Sequence, residues 1–158
     1  MAVHTSHDLH EELLQAWIDM SLMIRGNRLL SDFSFNEIVI CRILYAQRQN
    51  GGEPVTATQL CSRMQLLKSQ VNKILTAMEK AGTIERVRSE TDKRKLEIHL
   101  CESAVAAYER EHERILRLMA YIGSRLGDEQ CARLAHLLEE AVASIQELPA
   151  PNEKGTSQ

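Results

Sequence analysis

Lys68, Ser69, Gln70, Asn72, Lys73 and Thr76 all end in hydrogen-bond donors or acceptors, and their spacing gathers them on one side of a single helical segment. Further along, Lys93, Arg94 and Lys95 set three cations in a row, with Arg88 upstream and Asp92 directly ahead. Ammonium, guanidinium, hydroxyl and carboxamide groups arranged this way suit contact with phosphates and base edges. They do not suit bond making. The chain has no glycine-rich phosphate loop, no nucleophile elbow and no HExxH spacing, so no enzymatic activity is expected.

The elements that must position these groups run from Val55 to Leu100 in the order helix, turn, helix, strand, hairpin, strand. Thr56-Ala57-Thr58-Gln59 reads as a capping box that opens a short helix, to which Leu60, Met64 and Leu67 give an apolar stripe. The segment Gln65-Leu66-Leu67-Lys68-Ser69 turns the chain into a second helix reaching about Lys80. Val71, Ile74, Leu75 and Met78 form the buried side of that helix, opposite the polar set. Gly82 supplies its C-cap. Ile84, Arg86 and Arg88 then alternate with Glu85 and Val87, and Leu96, Ile98 and Leu100 alternate with Glu97 and His99, the period of two paired strands. The residues from Ser89 to Lys95 are too polar for a core and form the hairpin tip, a wing. The fold class is mainly α with a small β-hairpin wing: a winged helix-turn-helix.

Ala81-Gly82-Thr83-Ile84-Glu85-Arg86, then Asp92-Lys93-Arg94, then Ile98-His99-Leu100 resembles the signature of the MarR family of bacterial transcriptional regulators. The resemblance extends over nearly the whole chain, because that family sets its winged helix between N- and C-terminal helices that form a dimer. It implies a DNA-binding regulator, a repressor released by a small-molecule effector. It also implies that Asp92 pairs with and orients Arg94, which enters the minor groove. Lys93 and Lys95 read as phosphate contacts rather than base readers. The chain departs from the pattern at Lys93, where Arg is common, and at Cys101, where Thr or Ser is common; neither departure threatens the fold.

Composition agrees with a local rather than a global attraction for DNA. The formal charge of the 158-residue chain is −3, yet residues 55 to 100 hold nine Lys and Arg against five Asp and Glu, a local +4 that leaves −7 for the remainder. A segregated layout of this kind draws phosphate to one face and keeps the rest soluble. Aromatic residues make up only 4% of the chain, which fits a helical interior. No signal-type leader and no apolar run of membrane-spanning length is present, so a cytoplasmic protein without a membrane partner is expected. Cys41, Cys61, Cys101 and Cys131 show neither CxxC pairing nor the density of a disulfide scaffold, and read as reduced, buried small residues.

The chain reads as one protomer over residues 1–158. Residues 8–31 and 102–148 are dimerisation helices, 34–100 the winged-helix region, and 149–158 a disordered tail rich in Pro, Gly, Ser and charge. Leu9, Leu13, Trp17, Met20 and Ile24 line the first helix, and Ser34-Phe35-Asn36-Glu37 caps the second, which Asn50-Gly51-Gly52-Glu53-Pro54 ends. Ala106, Tyr108, Ile115, Leu116, Met119 and Ile122 mark a long helix after the wing. Leu134, Leu137, Leu138, Ala141, Val142 and Ile145 mark the last one. The terminal helices are more apolar than a lone winged helix can cover, and the simplest partner is a second copy. A homodimer would set two recognition helices about one DNA turn apart and favour a pseudopalindromic operator on double-stranded DNA.

By position, an effector taken up between the dimerising helices and the winged helix would meet Trp17, Met20, Met23, Ile40, Leu44, Tyr108 and His112. Met and aromatic residues at helical spacing are more often core, and each of the seven carries that plainer reading. His4, His7 and His10 stand three apart and would suit a divalent metal if helical, but nothing completes a tetrahedral set and an unstructured leader is the simpler account. Glu109, His112 and Glu113 read as a solvated face. No cofactor and no metal are expected. Cys101, close to cationic strands, is the one thiol whose ionised form those cations could favour. A metal- or thiol-responsive regulator of the same fold stays open as an alternative, as does a winged helix that binds protein, although that role would prefer an apolar recognition face.

Overall fold

A computed structural model describes residues 6–25 and 32–148. Within them the order is α1 (Ser6–Arg25), α2 (Phe35–Asn50), α3 (Ala57–Met64), α4 (Lys68–Lys80), β1 (Ile84–Arg88), β2 (Leu96–Leu100), α5 (Glu102–Leu126) and α6 (Asp128–Gln146). This is the mainly helical winged architecture read from the sequence. The end of the first predicted helix and the expected tail at 149–158 lie outside the described residues, as does His4. Among the described residues no helix is long and apolar enough to cross a membrane.

Both predicted capping boxes form. Ser34 N–H donates to Glu37 Oε2 at 2.8 Å while Ser34 Oγ accepts from Glu37 N–H, and Thr56 and Gln59 repeat the exchange at the start of α3. At the end of α4, Gly82 adopts φ 72°, Thr83 N–H donates to Met78 O at 2.9 Å and Gly82 N–H to Glu79 O at 3.0 Å. These are the paired bonds of a Schellman ending, which needs a residue free to enter the left-handed region. The chain then turns directly into β1.

Strands β1 and β2 pair antiparallel, with Ile84 opposite Leu100, Arg86 opposite Ile98 and Arg88 opposite Leu96. A short third rung joins them. Thr56 bridges Glu97, and Ile98 N–H donates to Val55 O at 2.8 Å, so the residues that open the helix-turn-helix are tied into the wing's sheet.

The chain divides into two compact units, residues 1–115 and 116–158. The core belongs to the first. Ile40, Cys41 and Leu44 of α2, Leu60 of α3, and Val71, Leu75 and Met78 of α4 meet Val55, Ile84, Ile98, Leu100 and Tyr108 in one buried cluster. That cluster fixes α4 from behind, which leaves its other side to solvent.

Two elements stand apart from this packing. In α1, Leu9, Leu13, Trp17, Met20 and Leu22 are all more than half exposed, and in α6 no residue is buried although Leu134, Leu137, Leu138, Val142 and Ile145 recur along it. Helices with apolar faces this open need another surface.

Candidate DNA interface

The recognition face is built from the N-terminal half of α4. Lys68, Ser69, Gln70, Lys73 and Thr76 are exposed and Asn72 is half-buried, while Val71, Leu75 and Met78 point into the core. Two of the polar side chains already have work inside the fold. Gln70 Oε1 accepts from Leu67 N–H at 3.0 Å and so caps the helix from within. Thr76 Oγ1 accepts from Arg86 Nη2 at 3.2 Å.

Arg86, whose sequence context marks no role for it, ties two elements together. From β1 it reaches over to α4, where its Nε also lies 3.6 Å from a Glu79 carboxylate oxygen. That Nε is buried with no hydrogen-bond partner among the described residues, so the contact rests on charge and the single bond to Thr76. The effect is a direct tie between the wing's first strand and the recognition helix.

The turn before α4 differs from the sequence expectation. Gln65 ends α3 in the left-handed region, φ 52° and ψ 39°, and its N–H returns to Cys61 O. The reversal takes Leu67 out of the α3 stripe: Leu60 is buried and Met64 half-buried, but Leu67 is 70% exposed and becomes the N-cap residue of α4. A leucine there offers no side-chain cap, a deficit of about 1 kcal/mol against Ser or Asp. No periodicity rule predicts a non-glycine residue in this conformation.

The wing is stiffer than a polar tip needs to be. Ser89, grouped with the exposed tip residues from sequence, is only 4% exposed; its N–H donates to Lys95 O at 3.0 Å and its hydroxyl lies 3.1 Å from that of Thr91. A serine can be buried here because both of its polar groups are satisfied. Asp92 Oδ1 accepts from the backbone N–H of Arg94 at 3.1 Å, and Asp92 O accepts from Lys95 N–H at 2.8 Å. The Asp92 to Arg94 contact therefore runs through Arg94's main chain. The Lys93, Arg94 and Lys95 side chains stay exposed, and Arg88 is exposed on β1.

The seven residues proposed for an effector fall in three settings. Ile40, Leu44 and Tyr108 are core, Trp17, Met20 and Met23 are exposed on α1, and His112 is half-buried with its ring stacked on Tyr108 at 5.7 Å. Glu109 and His112 are also more than a solvated face, since Tyr45 donates to Glu109 Oε1 at 2.8 Å, a bond that raises the Tyr45 hydroxyl's pKa above its usual range. An open cleft of about 660 Å³ lies elsewhere, between α2 and α3, with Arg42, Gln47, Gln59 and Arg63 on its walls. His7 and His10 are helical, being the second and fifth residues of α1, where a leader without structure was the simpler expectation.

All four cysteines are free thiols. Burial first, then Glu85, raises the Cys101 pKa, so the nearby cations do not favour its thiolate. Cys41 is pushed from 9.0 up to about 12, by burial first and by Glu37 second. The unfolded thiol ionises near 9 while the folded one keeps its proton, so this contribution to stability is complete below pH 9 and is lost as pH rises toward 12. The loss is about 1 kcal/mol by pH 10. Denaturant titrations of wild type and Cys41→Ala at pH 7 and pH 10 should show the variant less stable at neutral pH but less weakened by alkali. Equal losses in the two proteins would contradict the assignment.

The MarR family model matches residues 41–95, which span most of α2, the helix-turn-helix and the wing. The homoprotocatechuate degradative operon repressor of Escherichia coli is 36% identical over 98 residues, covering 60% of this chain and 66% of that repressor. The chain belongs to the MarR family. Among solved MarR-type structures, the transcriptional repressor CouR bound to a 23-mer DNA duplex superposes with a TM-score of 0.73 at 18% identity, over 89% of this chain and 99% of CouR. PcaV of Streptomyces coelicolor, in complex with its natural ligand, gives 0.68 at 14% identity, over 92% and 99%. At such identities these two speak for the fold alone.

Proposed function

We propose that the chain is a homodimeric, sequence-specific DNA-binding regulator, a repressor that reads a pseudopalindromic operator with α4 and reaches flanking minor grooves with Arg94. The observation that carries this is the pairing of an exposed polar face on a helix anchored from behind with an exposed cationic hairpin tied to that same helix through Arg86 and Thr76. The reading is supported by a relative that is itself an operon repressor, and by a fold shared with a repressor bound to a DNA duplex. Regulators rather than enzymes make up this company, and work on an operator places the protein in the cytoplasm. The open apolar faces of α1 and α6 support the homodimer. Release by a small-molecule effector then takes the form of a population shift, in which the effector binds better to a spacing of the two winged helices that cannot span the operator.

The test is selection of bound duplexes from a randomised pool. An enriched palindrome with half-sites about one helical turn apart supports the reading. Weak, uniform binding that vanishes at physiological salt would sink it in favour of a protein partner. On the selected duplex, Lys73→Ala should reduce the slope of log affinity against log salt by about 1, since an exposed ammonium on α4 acts through phosphate. Titration at several salt concentrations reads this directly, and an unchanged slope removes Lys73 from the interface.

A further inference from the structure

We propose that Leu67 is a base-reading residue, which packs its side chain against the 5-methyl group of a thymine in each operator half-site. The inference rests on the DNA-binding reading above and adds a specificity element to it. Leu67 is the N-cap residue of α4, immediately ahead of the exposed Lys68, Ser69 and Gln70, and the first residues of a recognition helix are those that approach base edges.

Its chemistry is out of place for the free protein. An N-cap position favours Ser, Thr, Asp or Asn, whose oxygen accepts from the first turn, and a leucine cannot do this. Nor is Leu67 there to fill the core, since 70% of it is exposed while Leu60, Val71 and Leu75 close the interior without it. Gln70 reaches back to satisfy the Leu67 N–H at 3.0 Å, so the helix start holds together with the Leu67 side chain uninvolved. A position that breaks a local rule without any gain in the folded chain is one where a binding role is expected.

The neighbours narrow what Leu67 can bind. Lys68, Ser69, Gln70 and Lys73 provide donors for phosphates and for purine acceptors, but each of them ends in a polar group. The major groove presents one apolar group, the thymine methyl, and it is the feature that an aliphatic side chain can read. Leu67 would therefore tell T·A from C·G at one position that the polar residues leave unread. Removing one methyl contact of this kind costs about five- to tenfold in affinity.

The experiment uses the full-length protein and the duplex enriched from the randomised pool. Each thymine is replaced singly by deoxyuridine, which deletes the methyl group and leaves the hydrogen-bonding edge intact. Wild type is expected to lose about five- to tenfold at one thymine per half-site. Leu67→Ala should bind the unmodified duplex correspondingly less well and be indifferent to the same replacement. Leu67→Ser, which restores a capping oxygen, should match Leu67→Ala in binding with stability at least equal to wild type, so that misfolding cannot account for the result. If every deoxyuridine replacement acts alike on wild type and on both variants, the assignment is overturned while the regulator reading stands. If the pool enriches no sequence, both fall together.

Discussion

Arg94→Ala is expected to weaken operator binding by about five- to 150-fold, the range for loss of one well-placed base or groove contact of about 1–3 kcal/mol. The structure explains why so exposed a residue can matter so much. Three bonds hold the loop around it: Asp92 Oδ1 accepts from the Arg94 N–H, Asp92 O accepts from the Lys95 N–H, and Ser89 N–H donates to Lys95 O. The tip is therefore ordered before DNA arrives, and what remains to be ordered on binding is one side chain rather than a loop. Because the guanidinium has no ion pair with Asp92 among the described residues, its removal costs the fold little, within about 0.5 kcal/mol as for other surface changes. The measurement is operator titration at fixed salt alongside thermal unfolding. Arg94→Lys separates charge from shape, since a narrow groove favours the planar guanidinium and an ammonium would recover only part of the loss. An effect no larger than that of Lys93→Ala would demote Arg94 to one phosphate contact among several.

How much of this was legible in the sequence depends on how local the cause is. The capping boxes at Ser34 and Thr56 and the Gly82 ending involve partners three to five residues apart, and all three formed where the pattern placed them. The strand pair was legible too, because alternation in Ile84 to Arg88 and Leu96 to Leu100 sets which residues share a face, and Ile84, Ile98 and Leu100 are buried together. Leu67 was misplaced because the left-handed turn at Gln65 resets the helical phase, and a non-glycine residue carries no mark of that conformation. Arg86 was passed over because its partners, Thr76 and Glu79, sit on the preceding helix; only the turn at Gly82 brings them within reach. The Cys101 thiol was judged from neighbouring cations in the sequence, whereas burial and Glu85 dominate once the strands are folded.

The second large effect is expected from α6. Leu138→Asp with Val142→Asp should convert a dimer into a monomer and lower operator affinity by about a hundredfold or more, since joining two reading heads contributes factors of 10² to 10⁴ without any new contact. The two side chains are four residues apart on one face of α6 and both are about half exposed, alongside Leu134 and Ile145 on the same stripe. Nothing within the described chain buries them, so two carboxylates there meet water in the protomer but would be desolvated against an apolar partner, which a dimer cannot tolerate without paired cations. For the same reason the substitutions should leave the winged-helix core intact, as that core lies wholly in residues 38–108. Sedimentation equilibrium should then report 17.9 kDa in place of twice that mass, with helical content retained. A variant that remains dimeric with unchanged operator affinity would place the self-association surface elsewhere, and the open face of α1, with Leu13 and Trp17, would be the next to carry the charge.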